Sequence, residues 1–297
     1  MHLQCDDDGV RLDRFLASHL PETSRRRAAA IIAAGAVLVN GRPAAKSQLL
    51  QRGDAVEIAA AGLLAGDLAP QPELALPILF EDESLIAVAK AAGMPAVALE
   101  SGDRDTVANF LAAHAPETAG AGRSPLEAGL VHRLDNGTSG VLLAARSAAD
   151  WQAVRQQFER QTIEKRYLAW VDGAVERRGE RREPIAHHPR RARLMAACPN
   201  PERAAAWRAR PALTRYRPLR REGSATLLEI VITSGVRHQI RVHLALAGHP
   251  LRGDDLYGGS PAPRLMLHAA QLALRHPRSG VRLSISCPPP ADFTAAG

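Results

Sequence analysis

The stretch Val131-His132-Arg133-Leu134-Asp135-Asn136-Gly137-Thr138-Ser139-Gly140, followed at once by Val141-Leu142-Leu143-Ala144-Ala145, decides how the chain is read. Its first ten residues crowd Arg, His, Asp, Thr and Ser into a loop punctuated by glycine. Its last five form an apolar run suited to a buried strand. Ser147 then opens a capping box with Asp150, and Trp151, Val154 and Phe158 recur at the spacing of a buried helix face. A loop of polar groups held against a buried strand is a candidate site. On pattern alone, Asp135 reads equally well as a catalytic carboxylate or as a turn former.

Two further clusters lie downstream. Residues 162–171 read as a strand on which Lys165 and Tyr167 share a face, because alternate strand residues point the same way. Residues 227–232 read as a second strand, running through Thr233-Ser234-Gly235 into Val236-Arg237-His238-Gln239-Ile240-Arg241-Val242-His243-Leu244. Ile240 and Leu244 suit the buried side of a helix that Gly248 and Pro250 would end. Arg237 and Arg241, four residues apart, are expected on one face near its start. Arginine there is suited to holding a carboxylate or phosphate through paired hydrogen bonds. Gly253-Asp254-Asp255 raises a metal site, but two adjacent carboxylates in a turn are more simply solvated or capping groups.

Upstream, residues 1–60 read as a compact unit. Leu12, Phe15, Leu16 and Leu20 mark one helix, and a turn at 21–23 follows. Ser24 is an N-cap for a second helix carrying Arg25, Arg26, Arg27, Ile31 and Ile32, with Gly35 as its stop. Short strands follow at 37–39 and 53–58, with Asn40-Gly41 a tight-turn signal. Three arginines in the first turn of a helix oppose its dipole. Either they form a solvated basic turn, or a phosphate rests on that helix end and resolves the conflict. Residues 61–76 are rich in Ala, Gly and Pro without a period and read as a linker. From residue 77 onward, strand and helix patterns mix without regular alternation, which favours an α+β domain over a doubly wound sheet.

Composition narrows the class. The 297 residues carry a net charge of +7, and 46% are hydrophobic, a soluble globular balance. A basic chain suits a polyanionic partner. Yet of 38 basic residues only Lys46, Lys90 and Lys165 are lysine, an Ala/Arg bias that base composition of a genome also produces. Cys5, Cys198 and Cys287 are far apart, which argues against a disulfide framework or a cysteine-rich zinc site. There is no HExxH pattern, and His187-His188 reads as loop. No apolar run approaches the ~20 residues of a membrane span. The first eight residues lack the basic and apolar regions of a secretion signal, so a cytoplasmic place is expected; a monomer with no membrane partner is the expected state.

A resemblance now covers most of the chain. "TSRRRAAAIIAAGAVLVNGRPAAKSQLLQRGDAVEI" resembles the small alpha-L RNA-binding domain first seen in a small-subunit ribosomal protein. "HRLDNGTSGVLLAARS", "FERQTIEKRYLAWVDG", "RHQIRVHLALAGHPLRGDDLYGG" and "LMLHAAQLALRHPRSGVRLSISCPPPADF" are similar, in order, to the signature segments of the RluA-type pseudouridine synthases. The resemblance implies a catalytic domain over 77–297 with a mixed, mainly antiparallel sheet and flanking helices. It also implies isomerisation of uridine within RNA, without cofactor or metal. Large-subunit ribosomal RNA is favoured by the resemblance in domain order, and transfer RNA is the other candidate.

Asp135 would then be the catalytic carboxylate, paired with Arg241, which keeps it ionised and aimed. Tyr167 would stack on the flipped uracil and assist proton removal from carbon 5. Arg133 would fill the space that the base leaves. His132, Thr138, Lys165, Arg237, His238 and Gln239 are implied around the substrate. Ser24, Arg25, Arg26, Arg27, Asn40 and Lys46 are implied against RNA. Base flipping is required because a stacked uridine shields the bonds to be changed.

Two segments depart from the family pattern. Residues 89–98 lack its proline and histidine, and Gly235-Val236-Arg237-His238 replaces Gly-Arg-Thr-His. Both bear on how RNA is gripped. The rival readings are a non-catalytic RNA-binding or ribosome-assembly protein, and an RNA hydrolase using Asp135 as a base. The first has no need of the carboxylate, tyrosine and arginine together, and the second lacks a paired carboxylate.

Overall fold

The computed structural model describes every residue except 21, 22, 24, 34, 46, 59–67, 100, 101 and 295–297; of residues 26, 27 and 30 only the backbone is described. Ser24 and Lys46, expected to bind RNA, therefore lie outside the described residues, as do the side chains of Arg26 and Arg27. The chain divides into two compact units. One takes Met1–Leu74 and Val97–Gly129, the other Ala75–Ala96 and Leu130–Gly297.

In the first unit, strands β1 (His2–Gln4), β2 (Val10–Arg11), β3 (Val37–Val39), β4 (Arg42–Pro43), β5 (Leu49–Leu50) and β6 (Ala55–Ile58) accompany helices α1 (Leu12–His19) and α2 (Arg25–Ala33). The sheet runs β1-β6-β3-β4, with β2 and β5 paired separately. Leu12, Phe15, Leu16 and Leu20 bury one face of α1 against Ile31, Ile32, Val37, Val39 and Val56, as the helical spacing predicts. Asn40 and Gly41 both take positive φ, 52° and 73°, and join β3 to β4 in a tight hairpin. Helix α3 (Val107–His114) belongs to this unit. Thr106 and Asn109 form a full capping box at its start, and the Asn109 amide also donates to the carbonyl of Ala69.

The second unit is built on a nine-stranded sheet. Its strands are β7 (Ile78–Glu81), β8 (Leu85–Lys90), β9 (Ser139–Ala145), β10 (Glu164–Asp172), β11 (Gly179–Arg181), β14 (Thr214–Glu222), β15 (Ala225–Ile232), β16 (Leu267–Arg275) and β17 (Arg282–Ser286). The order is β11-β14-β15-β10-β16-β9-β8-β7, with β17 also on β16. Every pairing is antiparallel except β9 with β16, so the sheet is mixed and mainly antiparallel, as the family resemblance implies. All seven residues of β9 are buried, which explains why its sequence is a continuous apolar run and not an alternating one. Helix α4 (Ala148–Glu159) lays Val154, Trp151 and Phe158 on one face, against Val141, Leu143 and Leu272.

A hairpin of β12 (Ile185–His187) and β13 (Met195–Ala197), a short helix α5 (Pro201–Ala206) and helix α6 (Gln239–Leu246) complete this unit. Three local expectations are corrected. His187 ends a strand, because Ile185–His187 pairs with Met195–Ala197. The capping box at α4 is half made: the Ser147 hydroxyl oxygen accepts the Asp150 N–H, while the Asp150 carboxylate takes the Ser147 hydroxyl and Arg278. Arg237 and Arg241 do not share a helix face. His238 sits in the left-handed region at φ 55° and α6 starts only at Gln239, so Arg237 lies outside the helix.

Candidate active site

The polar loop 131–138 is shaped by its backbone. The Thr138 N–H donates to the Asp135 carbonyl at 2.9 Å and closes a turn. The Asn136 carbonyl accepts from the Gly93 N–H at 2.8 Å and from Lys90 Nζ at 2.9 Å. Lys90 Nζ also donates to the carbonyls of Ala91 and Met94, at 2.8 and 2.6 Å. All three ammonium N–H groups thus hold backbone, and Lys90 is fully buried. Burial pulls its pKa down to about 7, against the opposing pull of Asp135. Residues 90–94, within the segment that departs from the family pattern, therefore pin the loop.

The loop delivers Asp135, whose side chain is one quarter exposed, to Arg241. Arg241 Nη1 donates to Asp135 Oδ2 at 3.2 Å. The other side of the guanidinium is taken by Asp254, with Nε to Oδ2 and Nη2 to Oδ1 both 2.7 Å. Asp254 Oδ1 also accepts the N–H groups of Leu256 and Tyr257. The Asp254 side chain is wholly buried, so a bidentate, charge-assisted pair replaces its lost hydration. Asp254 accordingly is not a solvated turn carboxylate. Among the described residues no three of His, Cys, Asp and Glu converge to hold a metal ion.

Tyr167 lies in β10 between Ile230 of β15 and Ala269 of β16, at a bulge that follows Arg166. Burial, and then the charge of Asp135, push its hydroxyl pKa upward, so it stays protonated at neutral pH. Lys165 shares its face, as the strand period predicts. Lys165 Nζ donates to the Ser234 carbonyl at 2.6 Å, and burial beside Arg155 lowers its pKa to about 8. His238 places Nε2 4.0 Å from Asp135 Oδ2, with Nδ1 2.8 Å from the Tyr257 hydroxyl. Burial lowers its pKa to about 4 and keeps it neutral.

The remaining expected residues separate into two groups. Arg133 is exposed and makes no hydrogen bond or ion pair with the described residues. Arg237 is also exposed and donates to the Arg193 carbonyl. Thr138 is buried in the loop turn. His132 Nε2 accepts the Leu143 N–H, its ring lies 5.3 Å from that of Phe158, and burial drops its pKa to about 3. Gln239 corrects its assignment to the substrate. Its amide oxygen accepts from Ser234 and Val236, its nitrogen donates to Leu213 and Thr214, and nothing is left to offer RNA. In the first unit, Arg25 reaches Asp13 at 3.3 Å. Asn40 is exposed, but its carboxamide holds Asp54 and the Ala55 N–H.

The order of these segments along the chain agrees with a known family. The sequence profile described as RNA pseudouridylate synthase matches residues 84–246, more than half of the chain. The chain belongs to that family. This family member also matches the S4 domain over residues 10–56. It is 36% identical over 299 residues to the ribosomal large subunit pseudouridine synthase D of Nitrosomonas europaea, covering 97% of this chain and 83% of that protein. With the protein of the same name from Escherichia coli it shares 34% identity over 303 residues, covering 96% and 89%. Its fold is that of the human RNA pseudouridylate synthase domain containing 1. That structure superposes with a TM-score of 0.59 at 24% identity, covering 77% of this family member and 90% of the human chain.

Sequence reasoning missed Lys90, Asp254 and Tyr257 as parts of this site. One signal was present for Asp254: an arginine in a helix that is buried on its apolar side needs a counter-charge, and Asp254 is the near carboxylate.

Proposed function

We propose that this chain converts uridine to pseudouridine in large-subunit ribosomal RNA, with Asp135 as the catalytic carboxylate. The observation that carries the reading is the carboxylate itself: Asp135 is reached by one nitrogen of a guanidinium whose other two nitrogens are locked on Asp254, and its charge helps to raise the pKa of Tyr167. The names of the most similar relatives support the choice of RNA. The S4 match supports residues 1–60 as the part that holds RNA, joined through 61–76 to a catalytic domain at 77–297. RNA of that kind also supports work in the cytoplasm.

The reaction breaks the bond from the ribose to N1 of uracil and forms one to carbon 5. The proton from carbon 5 leaves and N1 gains one, so the atoms balance without redox change. A carboxylate can attack as a nucleophile or stabilise positive charge at the ribose, and a neutral amide does neither well. Tyr167, kept protonated, offers a flat ring to the flipped base and a hydroxyl that can donate. Arg133, unpaired and exposed, is free to enter the gap that the base leaves.

The test is to incubate wild type and Asp135→Asn with unmodified ribosomal and transfer RNA and with precursor particles, mapping pseudouridine by chemical labelling. New pseudouridine in ribosomal RNA with the wild type, and none with the variant while RNA binding persists, is the expected result. RNA that is bound but never modified by either protein would put a binding role in its place.

A further inference from the structure

The Tyr257 hydroxyl stands at a junction that the catalytic reading does not use. It accepts the backbone N–H of Met195 at 2.9 Å and lies 2.8 Å from His238 Nδ1. A phenol that already accepts one hydrogen bond has its own proton to place. Nδ1 of His238 is the acceptor the structure provides. If instead His238 carried its proton on Nδ1, the Tyr257 hydroxyl would receive two bonds and its own proton would have no partner among the described residues.

The neutral imidazole has one remaining proton, which then sits on Nε2. That nitrogen is the one nearest the catalytic loop, 4.0 Å from Asp135 Oδ2. The Tyr257 ring is itself fixed. It lies 5.1 Å under the Arg241 guanidinium, its N–H is held by Asp254, and it meets the His238 ring edge-on at 83°. The αL backbone of His238, at φ 55°, turns the ring into this position immediately before α6 begins.

We propose that Tyr257 is a positioning residue for the isomerisation: it fixes His238 as the Nε2–H tautomer, so that Asp135 is faced by a second donor beside Arg241. This inference rests on Asp135 being the catalytic carboxylate. Arg241 supplies a charge, and His238 supplies an uncharged N–H on a different line. A 4.0 Å separation is longer than a hydrogen bond, so the N–H closes on the oxygen only as the carboxylate moves during reaction.

The experiment uses the full chain in wild-type form and as Tyr257→Phe, His238→Gln and the double variant. Long-range proton–nitrogen NMR on histidine-labelled protein reads the tautomer, with His238 assigned by the signals lost in His238→Gln. The wild type is expected to carry the proton on Nε2, and Tyr257→Phe to lose that preference. On ribosomal RNA, Tyr257→Phe should lower kcat about tenfold with KM within twofold, the size of one lost hydrogen bond to a charged group. Glutamine places an amide nitrogen where Nε2 stands, so in the His238→Gln background Tyr257→Phe should cost nothing further.

A wild-type Nδ1–H tautomer, or equal losses from Tyr257→Phe in both backgrounds, would overturn the proposal. Asp135→Asn is run alongside: if it stays active, the catalytic reading fails, and the proposal with it. If it is inactive while Tyr257→Phe leaves tautomer and kcat unchanged, the positioning role alone fails.

Discussion

Asp254 grips Arg241 through Nε and Nη2, both at 2.7 Å, and leaves Nη1 to reach Asp135 at 3.2 Å. A guanidinium is planar, so fixing two of its nitrogens fixes the third. The buried carboxylate therefore sets the direction from which the candidate catalytic one is approached. It also explains how an arginine can be buried here: Asp254 supplies a counter-charge that offsets part of the cost of desolvation before the guanidinium meets Asp135.

Removing that match should be severe. Asp254→Asn leaves a buried guanidinium short of a counter-charge, at about 3–5 kcal/mol in the folded state. Calorimetry should show the loss, and at a temperature where the variant is still folded the rate of pseudouridine formation should fall by about 100-fold or more. Asp255→Asn, one residue along and exposed, should stay within about 0.5 kcal/mol of wild type.

Lys90→Met should loosen the Asp135 loop with little change in the sheet around it. The three carbonyls now held by Nζ would lose their donor, and the Asn136 carbonyl would keep only the Gly93 N–H. Faster amide exchange at Gly93 and a kcat lower by about tenfold or more are expected. Lys90→Arg should not restore either, because a planar fork cannot point at three carbonyls arranged around one ammonium.

Lys165 predicts a pH dependence of stability. Its folded pKa is about 8, lowered chiefly by burial, whereas the unfolded chain titrates near 10.5. Between those values the unfolded state binds more protons, so this group makes stability rise with pH across that window and disfavours folding by a constant amount below it. Lys165→Met abolishes the effect. The stability of the variant relative to wild type, followed by denaturant unfolding, should therefore fall by up to roughly 3 kcal/mol from pH 8 to above 10.

Gly140→Ala tests the seam between β9 and β16. A Cβ there would stand 2.2 Å from the Ala269 carbonyl oxygen, and the residue has φ 118°. The strands must part, and a loss above about 3 kcal/mol, or failure to fold, is expected on thermal unfolding. Gly120→Ala meets nothing within 4 Å and should stay within about 0.5 kcal/mol of wild type.

The elements were legible where the information is local. The apolar run of β9, the Trp151–Val154–Phe158 face and the Asn40-Gly41 turn each follow from residues a few positions apart. The relationships that build the site are not local. Lys90 reaches Asn136 across 46 residues, and Tyr257 reaches His238 across 19. No periodicity in one sequence carries such pairs. Arg237 was placed on the helix because 3.6-residue spacing says nothing about where a helix starts, and His238 in a left-handed conformation is not a residue type that announces a cap. Gln239 read as an available amide because its four partners come from segments 213–214 and 234–236.

The position of β16 has a consequence for synthesis. Strands β7, β8 and β9 pair among themselves, and β10, β14 and β15 likewise, from stretches that leave the ribosome early. Leu267–Arg275 is made later and lies between them, and its ladder with β9 is short, pairing His268 with Ser139 and Ala269 with Gly140. Without that strand no backbone ladder connects the half-sheet fed by the Asp135 loop to the half-sheet that bears Tyr167. The ladder that sets those two groups side by side is therefore completed only when residues 267–275 are in place.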